Sequence, residues 1–509
     1  MLKQILPFFF ILALFTSCNN KNKLSTNEQK LVAEIESEEK EKQEAKSLTD
    51  NQFQPVKDTF SYNIRYKPER MVDPLNPPEI IDVAGNIENI KELKLSDIAK
   101  SIKYIRLQQT NDSTFYGQVK NDIYMGNEEA PLKEEIPLSI IKNDQYIVAY
   151  NQLGMLLYNS KGELLKTICS NEFTGFSLSR IGVGSRSGST FKGSNSKPRL
   201  VGNKLYYNYE DDVNKIARMM EVDCSNLPVQ LTGKTEDPNQ ISGLGTPVAF
   251  IEENSYSAIA LGSNYYSKTG NPKLHQDMFT IYNANGDTLC SFPGNQKIEN
   301  YAYTVARTPD WGSRFTYNNF FYFREAHSDT IFKVVPPNKL VPAFILNFGK
   351  YKVDNIQNAM SPDYDLSDKF LPQSIVVTDD YVFVFYTQGY NSPNNRREKK
   401  VKFFHAIYDR KTKELWHAKS DPDDNEFALE NNLDGGLPVW PGAVSFKYYA
   451  LASISEEAEI VQSVKGEDLK KYIHSEEFKN STAPEAKKQE FTKFVNSVGK
   501  YETIVVIIK

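Results

Sequence analysis

A recurring β-hairpin signature constrains the fold of this chain more than any other feature of its sequence. Apolar, β-branched or aromatic runs flank a short polar turn whose Asn and Gly residues can supply the positive φ of tight hairpins. The clear copies lie at 155–168, 278–292 and 403–416, and weaker copies lie at 219–231 and 330–346. Three aligned tyrosines, Tyr158, Tyr282 and Tyr408, are 124 and 126 residues apart. The hairpins therefore repeat at intervals of about 60 residues, which is typical of a propeller or a solenoid.

Both ends of the repeating region carry further strand patterns. These strands are predicted at Ile102–Leu107, Phe446–Ala450 and Thr503–Ile508. One composite blade built from them would leave no exposed sheet edge and would hold both ends of the domain. A helical pattern broken by Pro484 covers residues 467–498. We therefore predict an all-β fold for residues 61–509, a six-bladed β-propeller with N-/C-terminal strand closure and a short helical insertion near the C-terminus.

The N-terminal segment has the features of a lipoprotein signal peptide. Lys3 precedes an apolar run, Ile5–Phe15, of about eleven residues, well short of the roughly 20 that span a bilayer. Thr16 and Ser17 then lead into Cys18, which resembles the lipobox of bacterial lipoproteins, although a phenylalanine stands where that motif usually has leucine. The resemblance implies acylation of Cys18 and removal of the segment before it. A buried N-terminal helix or an ordinary secretory signal is the alternative.

Composition indicates a charged tether after the signal peptide and gives no support for binding to nucleic acid. Residues 1–18 are assigned to the signal peptide, and 19–60 to a flexible charged tether, because 34–46 reads EIESEEKEKQEAK with almost no apolar content. The net charge is −5, with a pI of about 5.8. This balance gives no electrostatic footprint for nucleic acid.

No motif in the sequence predicts a metal, a cofactor or a reaction. With Cys18 lipidated, Cys169, Cys224 and Cys290 remain, so at least one thiol has no disulfide partner within the chain, and the pairing stays open. The five histidines are scattered, and no Cys/His spacing matches a zinc site. G-x-S-x-G, H-E-x-x-H and P-loop motifs are absent from the sequence. No catalytic residue is therefore assigned.

Three loops hold the candidate ligand contacts. The Gly/Ser-rich stretch 181–189 could cradle an anion through its backbone N–H groups and nearby arginines, or could simply connect two blades. The segments ARTPDWGSR and NNLDGGLPVWP each carry a tryptophan that could stack on a sugar or peptide, or pack between blades. The candidate residues are Arg180, Arg186, Arg307, Trp311, Arg314, Asp434 and Trp440.

Four segments resemble a group of Gram-negative envelope lipoproteins with six-bladed, TolB-like β-propeller bodies. The segments are KLSDIAKSIKYIRLQ (94–108), LLYNSKGELLKTI (156–168), HSDTIFKVVPPNKLVPAFILNFGK (327–350) and NNLDGGLPVWP (431–441). The resemblance covers about 90–509. The Gly-Pro-Gly-Glu-rich loop usual in that group is replaced here by FSLSRIGVGSRSGSTFKGS, 176–194. The resemblance implies a fold and a location but no reaction, because propellers host many functions.

The function favoured by these features is that of a membrane-anchored envelope lipoprotein. We expect it in the outer membrane, on a face that the sequence leaves open, with the propeller acting as a ligand-binding or protein-interaction module. A glycan, a peptide or another envelope protein is the expected partner. The alternative is a polysaccharide-acting enzyme, a glycoside hydrolase or lyase, using carboxylates and aromatics of the propeller funnel. Two funnel carboxylates about 5–9.5 Å apart would favour hydrolysis.

Overall fold

The computed structural model describes one compact unit of the chain. Its described residues are 65–109, 138–151, 154–170, 198–211, 216–226, 240–244, 248–252, 255–258, 277–283, 288–293, 312–325, 327–354, 364–390, 392–423, 427–442, 444–445 and 450–509.

Four strands come first in the chain, and each joins a sheet formed by later residues. They are β1 (Glu69–Arg70), β2 (Glu79–Asp82), β3 (Ile90–Lys91) and β4 (Ile102–Arg106). A 3-10 turn, Leu95–Asp97, lies between β3 and β4 and buries Leu95.

The later strands form six sheets within the described residues, and the strands of each sheet follow one another in the chain. Sheet 1 contains β5 (Ser139–Lys142), β6 (Tyr146–Asn151), β7 (Gly154–Asn159) and β8 (Leu164–Ser170). Sheet 2 contains β9 (Arg199–Val201), β10 (Lys204–Asp211), β11 (Ile216–Asp223) and β12 (Gln240–Leu244). Sheet 3 contains β13 (Val248–Glu252), β14 (Ser255–Ala258), β15 (Asp277–Tyr282) and β16 (Thr288–Pro293).

Sheets 4 to 6 take in the N-terminal strands. Sheet 4 contains β17 (Ser313–Tyr317), β18 (Phe320–Arg324), β19 (Thr330–Val335) and β20 (Lys339–Asn347), with β1 and β2 parallel to β20. Sheet 5 contains β21 (Phe370–Val377), β22 (Tyr381–Gln388), β23 (Lys402–Asp409) and β24 (Leu415–Ala418), with β3 parallel to β24. Sheet 6 contains β25 (Val444–Ser445), β26 (Ala450–Ile454), β27 (Ile460–Lys465) and β28 (Thr503–Ile508), with β4 antiparallel to β28.

Few helices accompany these strands. They are α1 (Pro393–Arg397), α2 (Gly466–Tyr472), α3 (Glu476–Asn480), α4 (Glu485–Ser497) and a second 3-10 turn, Gly349–Tyr351. The last three α-helices lie between β27 and β28, where the sequence predicts a helical insertion. Pro484 caps the start of α4, as expected of the predicted break.

Successive sheets contact one another mainly through strands near the start of each sheet. β5 contacts β9, β10 and β11 contact β13, β13 contacts β18, and β17 contacts β21. β5 also contacts β26 and β27 of the last sheet. Between sheets 5 and 6, Phe383 and Ile407 pack in one cluster with Ile460. Antiparallel sheets packed face to face in chain order are the architecture of an all-β propeller.

The hairpin repeat predicted from the sequence corresponds to these sheets. Tyr158, Tyr282 and Tyr408 lie on β7, β15 and β23, the third strands of sheets 1, 3 and 5. The predicted hairpin at 330–346 is β19 and β20. The hairpin predicted at 219–231 was placed wrongly, since β11 pairs instead with β10 and with β12, which begins at Gln240.

The predicted pairing between the two ends of the domain is confirmed. Ile504 lies opposite Arg106, and the ladder continues to Ile508 opposite Ile102. β28 is buried along its whole length, so its β-branched run is apolar on both faces. The strand predicted before it, Phe446–Ala450, lies outside the described residues except for Ala450, where β26 begins. The sequence missed β27, whose buried Gln462 and Ser463 interrupt the apolar pattern.

Those polar side chains of β27 are satisfied inside the fold. Gln462 Nε2 donates to the carbonyl of Pro438 at 3.2 Å, and Ser463 Oγ donates to that of Leu138 at 2.5 Å. Ser453 Oγ of β26 likewise donates to the carbonyl of Ile140 at 3.2 Å. The last sheet is therefore held to the first by side-chain hydrogen bonds as well as by apolar packing, since buried polar groups need such partners.

We predict that deleting Thr503–Ile508 unfolds the propeller. The deletion removes five apolar side chains that are each at most 4% exposed, and burial of such a side chain contributes about 1.5–3 kcal/mol. It also exposes the edges of β4 and β27. Circular dichroism should show loss of the cooperative thermal transition.

Leu75→Ala is the matched control, because that side chain is 88% exposed and its removal should leave melting unchanged. A truncated protein that melts at the wild-type temperature would contradict the closure.

Candidate functional site

The turn between β26 and β27 carries three carboxylates toward neighbouring sheets. Its sequence is Ser455-Glu456-Glu457-Ala458-Glu459, and Ala458 has a φ of 60°. The backbone N–H of Ser455 donates to the carbonyl of Glu459 at 2.9 Å, and Ser455 Oγ accepts from the N–H of Glu459 at 3.1 Å. We call this segment the acidic turn.

Lys142, at the end of β5, receives two of these carboxylates. Its Nζ lies 3.0 Å from Glu457 Oε2 and 2.6 Å from Glu459 Oε2, and its side chain is 7% exposed. Lys509 also pairs with Glu459. Burial acts to raise the pKa of Glu459, but the hydrogen bonds and charges of Lys142 and Lys509 outweigh burial, so the pKa is lowered. Glu459 is therefore ionised in the folded protein at neutral pH.

Arg199, at the start of β9, binds the third carboxylate. Its Nη2 lies 3.2 Å from Glu456 Oε2, and its Nη1 donates to the carbonyl of Ile251 in β13 at 3.0 Å. Asn143 Nδ2, beside Lys142, donates to the carbonyl of Gly202 at 2.6 Å. The acidic turn of sheet 6 is therefore connected to sheets 1, 2 and 3 through buried, charge-assisted hydrogen bonds.

The acidic turn lies at the end of the propeller where the inner strand of each sheet turns back. In sheets 1, 2, 4 and 5 this turn follows the first strand, and in sheet 6 it follows β26, which contacts β5. We call this end the turn end and the opposite one, where β5, β17 and β21 begin, the loop end. A ligand at the turn end of sheets 6, 1 and 2 would have to displace buried ion pairs, which is costly.

Arg314 lies at the loop end, as the second residue of β17. It stands opposite Phe323 of β18, whose ring stacks on Phe279 of sheet 3 at a centroid distance of 4.9 Å. Its side chain therefore belongs to the face of sheet 4 that looks toward sheet 3. The side chain is partly exposed, yet burial lowers the pKa of the guanidinium to about 9. Among the described residues, no group accepts a hydrogen bond from it or pairs with its charge.

A buried ionic cluster lies beside Arg314 at the same end of sheet 4. Arg324 is fully buried, and its Nε donates to Ser313 Oγ at 3.2 Å while its Nη1 donates to the carbonyl of Ser328 at 2.9 Å. Asp329 Oδ2 lies 2.5 Å from Lys352 Nζ. Arg324 and Asp329 are thus engaged within the fold.

Arg70 of β1 brings a further cation to this boundary between sheets 3 and 4. Burial lowers its pKa, and the charge of Glu325 partly opposes that shift. Its Nη2 donates to the carbonyl of Pro293 at the end of β16, at 2.8 Å. Among the arginines of this boundary, Arg314 is the one without a described partner.

The other predicted contacts divide into two groups. Cys18, Arg180, Arg186, Arg307 and Trp311 lie outside the described residues. Asp434, Trp440 and Arg314 are described, but they are not brought together as one site, since Asp434 and Trp440 belong to the packing between sheets 5 and 6.

Asp434 organises its own loop. Its carboxylate accepts from Tyr104 Oη at 2.7 Å, from Asn431 Nδ2 at 2.8 Å and from the N–H of Gly436 at 2.9 Å. Burial and the charge of Asp434 raise the pKa of Tyr104 well above its ordinary value. Any side chain at 436 would meet Tyr104, because a Cβ there would lie 2.4 Å from the phenol oxygen. The loop is therefore a packed element that is held against β4 of sheet 6.

Trp440 fills the space between two sheets. It is 3% exposed, and its ring meets Phe383 at 5.6 Å and His405 at 4.9 Å, both edge to face. A buried indole offers no surface for a sugar to stack on, so of the two roles left open by the sequence the structure favours packing. Burial also lowers the pKa of His405 to about 3, so this histidine is neutral.

The described cysteines do not form a reactive centre. Cys224 and Cys290 are both buried thiols. Burial, with a smaller contribution from the charge of Asp223, raises the pKa of Cys224 to about 12, so the nucleophilic thiolate is scarcely populated. In the part of the chain that the structure describes, no group of three His, Cys, Asp or Glu side chains is placed to hold a metal ion.

Sequence reasoning missed Lys142, Arg199 and the acidic turn. The string Ser-Glu-Glu-Ala-Glu is indistinguishable in composition from a solvated loop, and isolated basic residues at strand ends are common. Long-range pairing between sheets 6, 1 and 2 becomes visible only once strand order is known. A run of acidic residues directly between two apolar strands is the signal that could have prompted the search.

Residues 61–472 match the family described as "Domain of unknown function (DUF4933)". The chain belongs to the DUF4933 family. No curated protein matches its sequence. The family assignment carries no activity, so function has to be inferred from the site of this DUF4933 member.

Solved structures with similar architecture are distant from this DUF4933 chain. A protein of Bacteroides fragilis NCTC 9343, whose name marks it as a candidate exported protein, is 12% identical over 84% of this chain and 99% of its own, with a TM-score of 0.44. A DUF4221 family member from Bacteroides vulgatus is 11% identical over 83% of this chain and 98% of its own, with a TM-score of 0.37. The Pan2 WD40 domain of Neurospora crassa is 8% identical over 73% and 88%, with a TM-score of 0.28. These similarities assign no function.

None of the helices described here is sufficiently long and apolar to cross a membrane.

We predict that Lys142→Met destabilises the folded protein by about 3 kcal/mol at pH 7, because it leaves buried carboxylates without their cation. The lowered pKa of Glu459 fixes the pH dependence. The ionised Glu459 carboxylate contributes its full stabilisation of the folded protein above its pKa in the unfolded chain, about 4.3. That contribution is lost as the pH falls through the lower pKa that Glu459 has in the folded protein. Urea unfolding at pH 7 and at pH 3 should therefore show a smaller difference between variant and wild type in acid.

Lys411→Met is the control. Lys411 also pairs with a carboxylate, that of Asp380, but its side chain is 75% exposed, so its loss should change stability little. Equal effects of the two substitutions at pH 7 would contradict the role given to the acidic turn.

Proposed function

We propose that this chain is an envelope lipoprotein, anchored in the outer membrane through acylated Cys18, whose body is a six-bladed propeller that binds a ligand at its loop end. Residues 19–60 act as the tether between anchor and body. The ligand is a glycan, a peptide or a segment of another envelope protein.

Strand order and inter-sheet contacts support six blades in a closed ring. Six sheets of successive strands are found among the described residues, and each contacts the next, with the first contacting the last through β5 and β26. β4 supplies the outer strand of sheet 6, so the ring closes on strands from both ends of the domain. Closure of this kind removes sheet edges that would otherwise pair with other chains.

The difference between the two ends of the inner strands carries the binding proposal. At the turn end, the carboxylates of the acidic turn are already paired with Lys142 and Arg199. At the loop end, Arg314 is reachable by solvent and has no described counter-charge. Ligands bind where polar groups have capacity left for them, so the loop end is the favoured site.

Anchoring is tested by lipid labelling. We expect the wild type to incorporate radiolabelled palmitate and to sediment with membranes, because Cys18 is acylated. Cys18→Ser should lose the label, whereas Cys224→Ser, which alters a buried thiol, should keep it. Retention of label by Cys18→Ser would contradict the anchoring proposal.

Binding is tested by screening the purified full-length protein on glycan and peptide arrays, followed by hydrogen–deuterium exchange with the best ligand. We expect slower exchange at 312–317, because backbone at the loop end is covered by the ligand. Exchange of the acidic turn, 455–459, should not change.

Protection confined to the acidic turn would overturn the proposed site. Release of reducing ends from a bound glycan would instead support a polysaccharide-acting enzyme, and it is measured on the same samples.

A further inference from the structure

We infer that Arg314 is the recognition point for a carboxylate-bearing ligand at the loop end of the propeller. The inference rests on the proposed function and deepens it, because it names the charged group by which the ligand is held. The carboxylate could belong to an acidic sugar or to an acidic amino-acid side chain, and the experiment below distinguishes these sources.

The first step of the argument is the cost of an unpaired cation. A guanidinium removed from water without a counter-charge destabilises the fold unless a partner is supplied. Arg314 is in that position, since burial lowers its pKa to about 9 and nothing among the described residues raises it. At neutral pH the side chain still carries its charge. Ionisable groups with perturbed pKa values cluster at functional sites, where a ligand can provide the missing charge.

The contrast with Arg410 gives the second step. Arg410 is a half-buried arginine that directly follows β23 of sheet 5, and it is fully engaged: its Nε and Nη2 donate to Glu79 Oε1 at 3.1 and 2.8 Å, and its Nη1 donates to Tyr317 Oη at 2.7 Å. These partners raise its pKa, although burial alone would lower it. The fold thus compensates a structural arginine completely. Arg314, three residues from Tyr317 on the same strand, receives no such compensation from the part of the chain that the structure describes.

The third step concerns access. Every residue of β17 is partly exposed, whereas four of the five residues of β18 are buried. Arg314 therefore lies on the accessible strand of sheet 4, at its loop end, with Phe323 opposite on the same face. Phe323 is itself buried against Phe279, so the guanidinium is the group on this face that a ligand can reach.

The chemistry of the ligand follows from charge and shape. One uncompensated positive charge is neutralised by one negative charge, whereas a dianion would leave a net charge in a poorly solvated site. A planar guanidinium also matches a carboxylate through two parallel N–H···O bonds. The ligand class is therefore a monoanionic carboxylate rather than a phosphate.

The test uses full-length protein in detergent, titrated by calorimetry at pH 7 with matched small probes. Glucuronate and N-acetylglutamate carry the carboxylate, glucose and N-acetylglutamine are their neutral counterparts, and inorganic phosphate is the competing anion. We expect one or both carboxylates to bind at least tenfold more tightly than the neutral counterparts and phosphate. The better of the two identifies the source. Equal binding of charged and neutral probes, tighter binding of phosphate, or no carboxylate binding would overturn the inference.

Variants of Arg314 supply the decisive comparison. Arg314→Met should abolish carboxylate binding and Arg314→Lys should weaken it at least tenfold, because an ammonium lacks the planar fork. Without ligand, Arg314→Met should melt at or above the wild-type temperature, since it removes an uncompensated charge. Arg410→Met, the matched control, should melt below it, since it removes two hydrogen bonds to Glu79 and one to Tyr317 and leaves Glu79 with only Lys413 as a cationic partner. A large loss of stability in Arg314→Met would show that the arginine is structural and would contradict the inference.

The two proposals fail separately. A ligand from the arrays that protects 312–317 from exchange but binds Arg314→Met as tightly as wild type would leave the loop-end site standing and overturn the role of Arg314. Protection at the acidic turn would remove both.

Discussion

Pairing of β4 with β28 is the contact on which the rest of this propeller depends. It joins residues from opposite ends of the domain, so the outer edge of sheet 6 is completed by a strand that precedes sheet 1 in the chain. β28 is buried throughout, and its loss would expose two strand edges at once. Tyr104 of β4 also donates a hydrogen bond to Asp434, which belongs to the loop between sheets 5 and 6. Closure, loop geometry and the packing of Trp440 are therefore linked.

Electrostatics make the two ends of the inner strands different. The acidic turn places three carboxylates against Lys142 and Arg199 and so holds sheets 6, 1, 2 and 3 together at the turn end. Buried pairs of this kind are costly to open, because each ion would be left without its partner. At the loop end of sheet 4, Arg324 is engaged within the fold, whereas Arg314 has no counter-charge among the described residues. The proposed binding at the loop end depends on this difference in charge pairing.

The sequence predicted the repeat and the closure because both rest on local patterns. Tyr158, Tyr282 and Tyr408 mark equivalent strands, and the β-branched run of β28 could only be a buried strand. β27 was missed because Gln462 and Ser463 are buried polar residues whose partners belong to other parts of the chain. The partner of β11 was misplaced for a related reason, since strand pairing depends on register that no single segment specifies.

The candidate site was predictable only in part. Arg314 was singled out from its loop, but its significance comes from the absence of a described counter-charge, which no spacing in the sequence can reveal. Trp440 illustrates the converse: a rare aromatic on a Gly- and Pro-rich loop suits binding and packing equally, and burial alone decides between them. Lys142 and Arg199 were invisible because their partners come from sheet 6, far away in the sequence.

The most direct test is to identify the group that binds the guanidinium of Arg314. An electron-density map of the protein crystallised with glucuronate and N-acetylglutamate would show that group. The account predicts a planar carboxylate of one added ligand, bound to Arg314 through two parallel hydrogen bonds at the loop end. A carboxylate of the protein itself paired with Arg314 would contradict it, because the positive charge of Arg314 would then stabilise the fold and would not be available to a ligand.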